Sequence, residues 1–225
     1  MQLLRQTYTP RDGERIRQTR WEDPKVLQQE MQGLHDRAEE GSEEAEVDHV
    51  LSGEEGLTYE ETLILLKPDA LERRLVGRII QRYEDAGLDI LDIRYVKHVS
   101  RELIERHYPD SMARALGLKA KEANPEIEDP EAYGRRVLEW LRRYVSRGPV
   151  IAMKLGGEDA IERAREVTGY TDPARAAKGT IRGDFGIDSI ERSNREERAC
   201  ENLVHASGNR EEAERELKLW FPDES

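Results

Sequence analysis

From about residue 59 onward, short apolar runs alternate with stretches of helical period. Thr62-Leu-Ile-Leu-Leu66 is a continuous apolar run stopped by Lys67-Pro68-Asp69, the pattern of a buried strand followed by a turn. From Leu75 to Ala86 the apolar residues 75, 76, 79, 80 and 83 recur at helical spacing, and Gly87 is a natural stop. Leu88 to Val99 mixes β-branched and polar residues as a half-exposed strand does. Ser100 can cap a short helix ending near His107-Tyr108-Pro109. Asp129-Pro130 is a cap followed by proline at the first helical position. The helix it opens places Tyr133, Val137, Leu141, Tyr144 and Val145 on one expected buried stripe, and Gly148 closes it. Pro149 to Met153 is a third strand, Glu158 to Thr168 a helix stopped by Gly169, Leu203-Val204-His205 a short fourth strand, and Arg210–Leu219 a final helix.

Strand–helix–strand, helices, then strand–helix–strand–helix is the order of two βαβ units. It points to the α+β class and a ferredoxin-like split βαβ sandwich. Strand pairing cannot be read from periodicity, so other α/β arrangements stay open at this point.

Residues 1–58 read as a separate N-terminal extension, and residues 59–225 as one compact domain. The extension is expected to hold one amphipathic helix, from Pro24 to about Ala38, followed by an acidic stretch. Eight acidic residues and no Lys or Arg lie between Glu39 and Glu55. Such a segment cannot bury enough apolar area to offset its ordering entropy, so partial disorder is expected there.

The bulk numbers narrow the function classes. A net charge of -12 over 225 residues argues against the broad basic surface of a nucleic-acid binder. No apolar run approaches a bilayer-spanning length, so no membrane partner is expected. The single Cys200 excludes an intramolecular disulfide, and the expected compartment is the cytoplasm. Neither G-x-x-x-x-G-K-[ST] nor G-x-G-x-x-G occurs, and no Cys cluster or H-E-x-x-H signals a protein metal site. If phosphate is bound, side chains must bind it.

Three segments concentrate polar chemistry between apolar elements. Lys67 follows a buried strand and projects beyond its end, although a solvated turn lysine explains it as well. The loop from Gly169 to Phe185 carries Thr171, Lys178, Arg182 and Asp184, with Arg165 on the helix before it. Two guanidiniums and a hydroxyl converging there would form a fork for phosphate oxygens, and an Arg–Asp pair on a surface loop is the plainer reading. Asn202 and His205 come near one another at a strand end, with Ser207 two residues beyond His205 and Glu216 eleven beyond it. An imidazole oriented by a carboxylate can act as a nucleophile. His35, His49 and His98 have no such company and are expected at the surface.

Together these segments resemble the nucleoside diphosphate kinase family. The resemblance spans residues 59–225 and is carried by Leu65-Leu-Lys67-Pro-Asp-Ala70, Leu75-Val-Gly-Arg-Ile-Ile80, His107-Tyr108, Gly148-Pro-Val150, Gly169-Tyr-Thr-Asp-Pro173, Gly179-Thr-Ile-Arg-Gly-Asp-Phe185, Asn202-Leu-Val-His-Ala-Ser207 and Glu214 to Phe221, in the family's order.

The resemblance implies a ferredoxin-like fold with a four-stranded antiparallel sheet covered by helices. It also implies transfer of a γ-phosphoryl group from a nucleoside triphosphate to a nucleoside diphosphate through a phosphohistidine on His205. Lys67 and Asn202 would meet the ribose 3′-hydroxyl, Lys67 also phosphate. Arg165, Thr171 and Arg182 fall on phosphate-binding positions. Tyr108 would lie close to the histidine, and Ser207 and Glu216 would support it. Mg²⁺ would arrive with the nucleotide, and a homo-oligomer, tetrameric or hexameric, is implied.

The chain departs from the family pattern in three places. Gly208 stands where Asp is usual, leaving one carboxylate missing beside the site. About ten extra residues, roughly Ser189 to Ala199, precede Asn202, where a surface helical turn or a lid is expected. About twenty more lie between His107 and Gly148, where the family sets its base platform. Val137, Leu141 or Tyr133 are the nearest positions for that role. A non-catalytic nucleotide-binding relative and a histidine phosphotransfer protein acting on a protein partner remain the alternative readings.

Overall fold

The computed structural model describes residues 58–123 and 125–222. The expected helix from Pro24 to Ala38 and the acidic stretch lie outside those residues. Among the described residues no helix is long and apolar enough to cross a membrane.

Four strands make one antiparallel sheet: β1 (Tyr59–Leu66), β2 (Asp89–Val96), β3 (Val150–Glu158) and β4 (Val204–Ala206), in the spatial order β2-β3-β1-β4. The helices are α1 (Pro68–Glu72), α2 (Val76–Asp85), α3 (Arg101–His107), α4 (Met112–Ala123), α5 (Pro130–Ser146), α6 (Ala160–Thr168), α7 (Ile181–Phe185), α8 (Ile190–Arg195) and α9 (Arg210–Trp220). The two units β1-α2-β2 and β3-α6-β4 interlock as a ferredoxin-like α+β sandwich, as expected from the element order.

The central strand accounts for its own sequence. β1 pairs with β3 on one side and β4 on the other. Ile64 and Leu66 enter a core with Ile79 and Tyr83 of α2, Met153 of β3 and Ala160 and Ala164 of α6. Leu63 and Leu65 enter a second core with Ile104 of α3, Leu138 and Val145 of α5, and Trp220 of α9. Both faces are covered, so the run is continuously apolar rather than alternating. β2 is an edge strand, with Leu91, Ile93 and Tyr95 left facing outward.

The caps act where the sequence places them. Ser100 Oγ accepts from Leu103 N at 3.1 Å and Asp129 Oδ1 from Ala132 N at 2.9 Å. Gly87 at φ 75° and Gly169 at φ 85° follow α2 and α6 in the left-handed region.

Other expectations are corrected. The fully buried positions of α5 are Gly134, Leu138, Tyr144 and Val145, with Tyr133, Val137 and Leu141 only partly covered. The cause is α4, which the sequence analysis did not foresee. A Cβ on Gly134 would stand 1.8 Å from the Ala113 carbonyl oxygen, and one on Gly117 1.6 Å from that of Pro130. The two helices therefore meet backbone to backbone, and α5 turns its glycine face inward. β3 continues to Glu158, so α6 starts at Ala160, because pairing with β1 extends to Tyr59. Lys67-Pro68-Asp69 is a strand end running into α1, with Pro68 in its first turn. Ile181 to Phe185, read as loop, is a helix capped by Thr180.

Candidate active site

The topology gathers the three polar segments at one end of β1 and β4. Leu65 pairs with His205 and Leu66 with Val204, so Lys67 leaves the sheet beside the histidine strand. Lys67 N donates to Leu203 O at 2.8 Å, and Lys67 Nζ reaches Asn202 Oδ1 at 2.6 Å. Burial, with the Arg182 charge beside it, lowers the ammonium to about 7, against the opposing pull of Asp69 and Cys200.

Asn202 is fixed on every side. Its Nδ2 donates to Thr171 O at 2.9 Å, and its backbone N–H to Tyr144 Oη at 3.2 Å. Tyr144 Oη in turn donates to Asp69 Oδ1 at 2.7 Å, while Asp69 Oδ2 accepts from Leu203 N at 3.1 Å. Asp69 and Tyr144 are positioning groups that sequence reasoning missed. Their link spans 75 residues, and its only local signal was an acidic residue after Lys67-Pro68.

Arg182 is buried and holds three backbone carbonyls: Asn202 O at 3.2 Å, Gly169 O at 2.9 Å and Val204 O at 2.6 Å. With five N–H donors, it keeps two for another partner. Thr171 is exposed on the neighbouring loop. Arg165 is exposed on α6, at the rim of the depression that Gly208 also borders.

His205 is partly open to solvent, and its Nε2 lies 2.8 Å from Glu216 Oε2 on α9. The same oxygen accepts the Ser207 hydroxyl at 2.7 Å. Burial alone would raise Glu216, but the facing His205 imidazole, which also hydrogen-bonds to it, the nearby His107 ring and the Ser207 hydroxyl prevail and hold it at about 2. The ionised carboxylate can only accept, so Nε2 carries a proton, and in the neutral ring the lone pair lies on Nδ1.

Tyr108 is buried with its ring centroid 6.4 Å from His205. His107, which the sequence analysis matched as a motif without a role, lies closer, edge-on to His205 at 4.7 Å. Its Nδ1 accepts from Trp220 Nε1 at 3.2 Å. Burial and the nearby His205 charge push His107 well below its ordinary value, so it is a neutral, packed ring.

The departures have local answers. Ser189 caps α8, whose Ile190 N donates to Asp172 Oδ1 at 3.3 Å, and Asp188 accepts from both Nη1 and Nη2 of Arg198. The extra piece is therefore a helical turn docked on the Thr171 loop. Cys200, half-buried near Asp188 and Asp172, is pushed up to about 12, chiefly by burial, and stays an inert thiol. Beside Gly208 a carboxylate is present after all: Glu212 Oε2 accepts from Gly208 N at 2.8 Å.

The group His107, His205 and Glu216 could close on an ion, with ligand atoms within 4.8 Å of one another. It is rich in imidazole nitrogen, a poor match for Mg²⁺, which prefers oxygen.

The family model described as nucleoside diphosphate kinase matches residues 60–122 and 129–225. The nucleoside diphosphate kinase of Pyrobaculum aerophilum is 44% identical over 180 residues, covering 75% of this chain and 98% of the relative. That of Pyrococcus furiosus is 38% identical over 165 residues, covering 73% and 84%. Among solved structures, the NDP kinase crystal structure from Pyrobaculum aerophilum superposes with a TM-score of 0.70 at 41% identity, over 74% of this chain and 98% of that one. The Borrelia burgdorferi enzyme, a transition-state mimic with bound vanadate and ADP, gives 0.61 at 31% identity, over 73% and 88%. By sequence and by fold alike, the chain belongs to the nucleoside diphosphate kinase family, and its activity is that phosphotransferase reaction.

Proposed function

We propose that His205 is the nucleophile of this kinase and that Nδ1 is its reacting atom. The observation that carries the reading is the 2.8 Å bond from Nε2 to Glu216, which leaves Nδ1 as the ring nitrogen available to react. Nδ1 attacks the γ-phosphorus of a nucleoside triphosphate. The bond to the β–γ bridging oxygen breaks, and the diphosphate leaves. A second nucleoside diphosphate then attacks the phosphohistidine through a terminal oxygen, breaking the P–N bond and restoring the ring.

In this reading Glu216 stabilises the imidazolium character that develops on phosphorylation, and Ser207 holds Glu216. Tyr108 and the neutral His107 wall the ring. Lys67 and Asn202 meet the ribose 3′-hydroxyl, and Lys67 also meets phosphate. Arg165, Thr171 and the two remaining N–H groups of Arg182 take phosphate oxygens. Charge stabilisation and positioning are what phosphoryl transfer requires of the protein. Mg²⁺ enters as part of the nucleotide substrate, on its phosphate oxygens.

Residues 59–225 form the catalytic domain and residues 1–58 an accessory extension. The enzyme works in the cytoplasm as a homo-oligomer, with the outward Leu91, Ile93 and Tyr95 of edge strand β2 as its candidate interface.

The test is incubation with Mg-ATP alone, followed by intact mass. One acid-labile phosphoryl group, absent in His205→Ala and discharged by GDP, is the expected result. A phosphoryl group that GDP cannot remove would favour transfer to a protein partner, and none at all with ATP still bound would favour a non-catalytic relative.

A further inference from the structure

Gly208 stands between a carboxylate and a guanidinium. Its N–H donates to Glu212 Oε2 at 2.8 Å, and Glu212 N donates to Asn209 Oδ1 at 2.9 Å. This near-reciprocal cap fixes the Glu212 carboxylate in the first turn of α9, where the helix dipole also favours an anion. A Cβ on Gly208 would stand 2.6 Å from Glu212 Oε2 and 3.4 Å from Arg165 Nη1. The Gly208 backbone is outside the left-handed region, so its conformation does not demand glycine. The carboxylate itself occupies the space that a side chain would take.

Arg165 and Gly208 border one open depression between the starts of α6 and α9, together with Glu60, Glu162 and Arg210. Glu60 is already engaged there, with Arg210 Nη2 at 2.8 Å and Ile161 N at 3.2 Å. Arg165 is exposed, with no ion pair within 4.0 Å among the described residues. A long exposed side chain beside a fixed opposite charge is biased toward it.

We propose that Glu212 is a positioning residue for Arg165, its fixed charge drawing the guanidinium toward Gly208, three residues from His205, where it meets nucleotide phosphate. This rests on the reading of Arg165 as a phosphate ligand. The glycine at 208 is then a requirement of the device, since any side chain there would displace the carboxylate.

The experiment is steady-state kinetics on the full chain with ATP varied and GDP fixed. Glu212→Gln keeps an acceptor for the Gly208 amide and removes the charge. KM for ATP is expected to rise about two- to five-fold with kcat and melting temperature little changed. Gly208→Asp in a Glu212→Ala background restores the carboxylate from the other side and should recover KM, which a purely structural role for Glu212 would not produce. Glu162→Gln, the other acid on that wall, should leave KM alone. An unchanged or lowered KM in Glu212→Gln overturns the proposal; the lowered value would mean that the carboxylate merely repels phosphate. Arg165→Ala separates the two claims. If it raises KM while Glu212→Gln does not, only the positioning role fails; if it leaves KM unchanged, the reading of Arg165 fails and takes the proposal with it.

Discussion

The Nε2 of His205 lies 2.8 Å from a carboxylate oxygen of Glu216 that the Ser207 hydroxyl also engages. The imidazole is thus held in one tautomer by a group that is itself held. Glu216→Gln presents an amide that can donate as well as accept, so the ring is no longer fixed with Nδ1 free. Its kcat should fall on the order of 10²- to 10⁴-fold with KM little changed, read in steady-state assays beside a fully inactive His205→Ala. A Glu216→Gln enzyme with normal kcat would remove Glu216 from the mechanism.

The same carboxylate makes stability depend on acid. Glu216 sits at about 2 in the fold against an ordinary 4.5, so its contribution is complete above about 4.5 and is lost as pH falls toward 2. Urea midpoints at pH 6 and pH 3 should differ more for the natural protein than for Glu216→Gln. Equal differences would mean that other carboxylates carry the acid sensitivity.

Nucleotide binding should take up a proton. Free Lys67 at about 7 is mostly neutral at pH 8, and phosphate oxygens placed against it favour the ammonium. Calorimetric titration with ADP at pH 8, in buffers of different ionisation enthalpy, should report uptake of about half to one proton. Lys67→Met should abolish it. Buffer-independent heats in the natural protein would mean that Lys67 is not a phosphate contact.

Gly134→Ala should be costly for one methyl group. Its Cβ would lie 1.8 Å from a backbone oxygen of α4, which no rotamer change relieves. A loss of about 3 kcal/mol is expected, from chemical denaturation. An ordinary glycine-to-alanine gain in helix stability would show that α4 and α5 separate easily.

Removal of residues 1–58 should leave turnover largely unchanged, because every group assigned a role lies beyond them. A folded but inactive truncated enzyme, seen by circular dichroism and assay together, would make the extension part of the site or of the assembly.

What could be read in advance depended on how locally each feature is encoded. The Leu63–Leu66 run, the caps at Ser100 and Asp129 and the stop at Gly87 are written within a few residues, and they were legible. Lys67, Asn202, His205 and Glu216 could be singled out as candidates because their order resembles that of a known family. The helix pair α4–α5 was not legible, because its contact is marked by missing side chains at Gly117 and Gly134, which leave no apolar periodicity to read. The pairing of Asp69 with Tyr144 was not legible, because it forms only when α1 and α5 meet. Glu212 sits among other acids on a charged helix, and only the cap at Asn209 reveals why it points back at Gly208.

β1 delivers successive residues to opposite cores, Leu63 and Leu65 to one and Ile64 and Leu66 to the other. The two helical layers therefore share a wall and cannot melt one at a time: loosening either one strips a face from the strand that the other needs. Lys67 continues that wall, and His205 is paired to it. That end of the sheet is coupled to the least separable part of the molecule, and on heating its geometry should persist until the whole domain unfolds in one cooperative step.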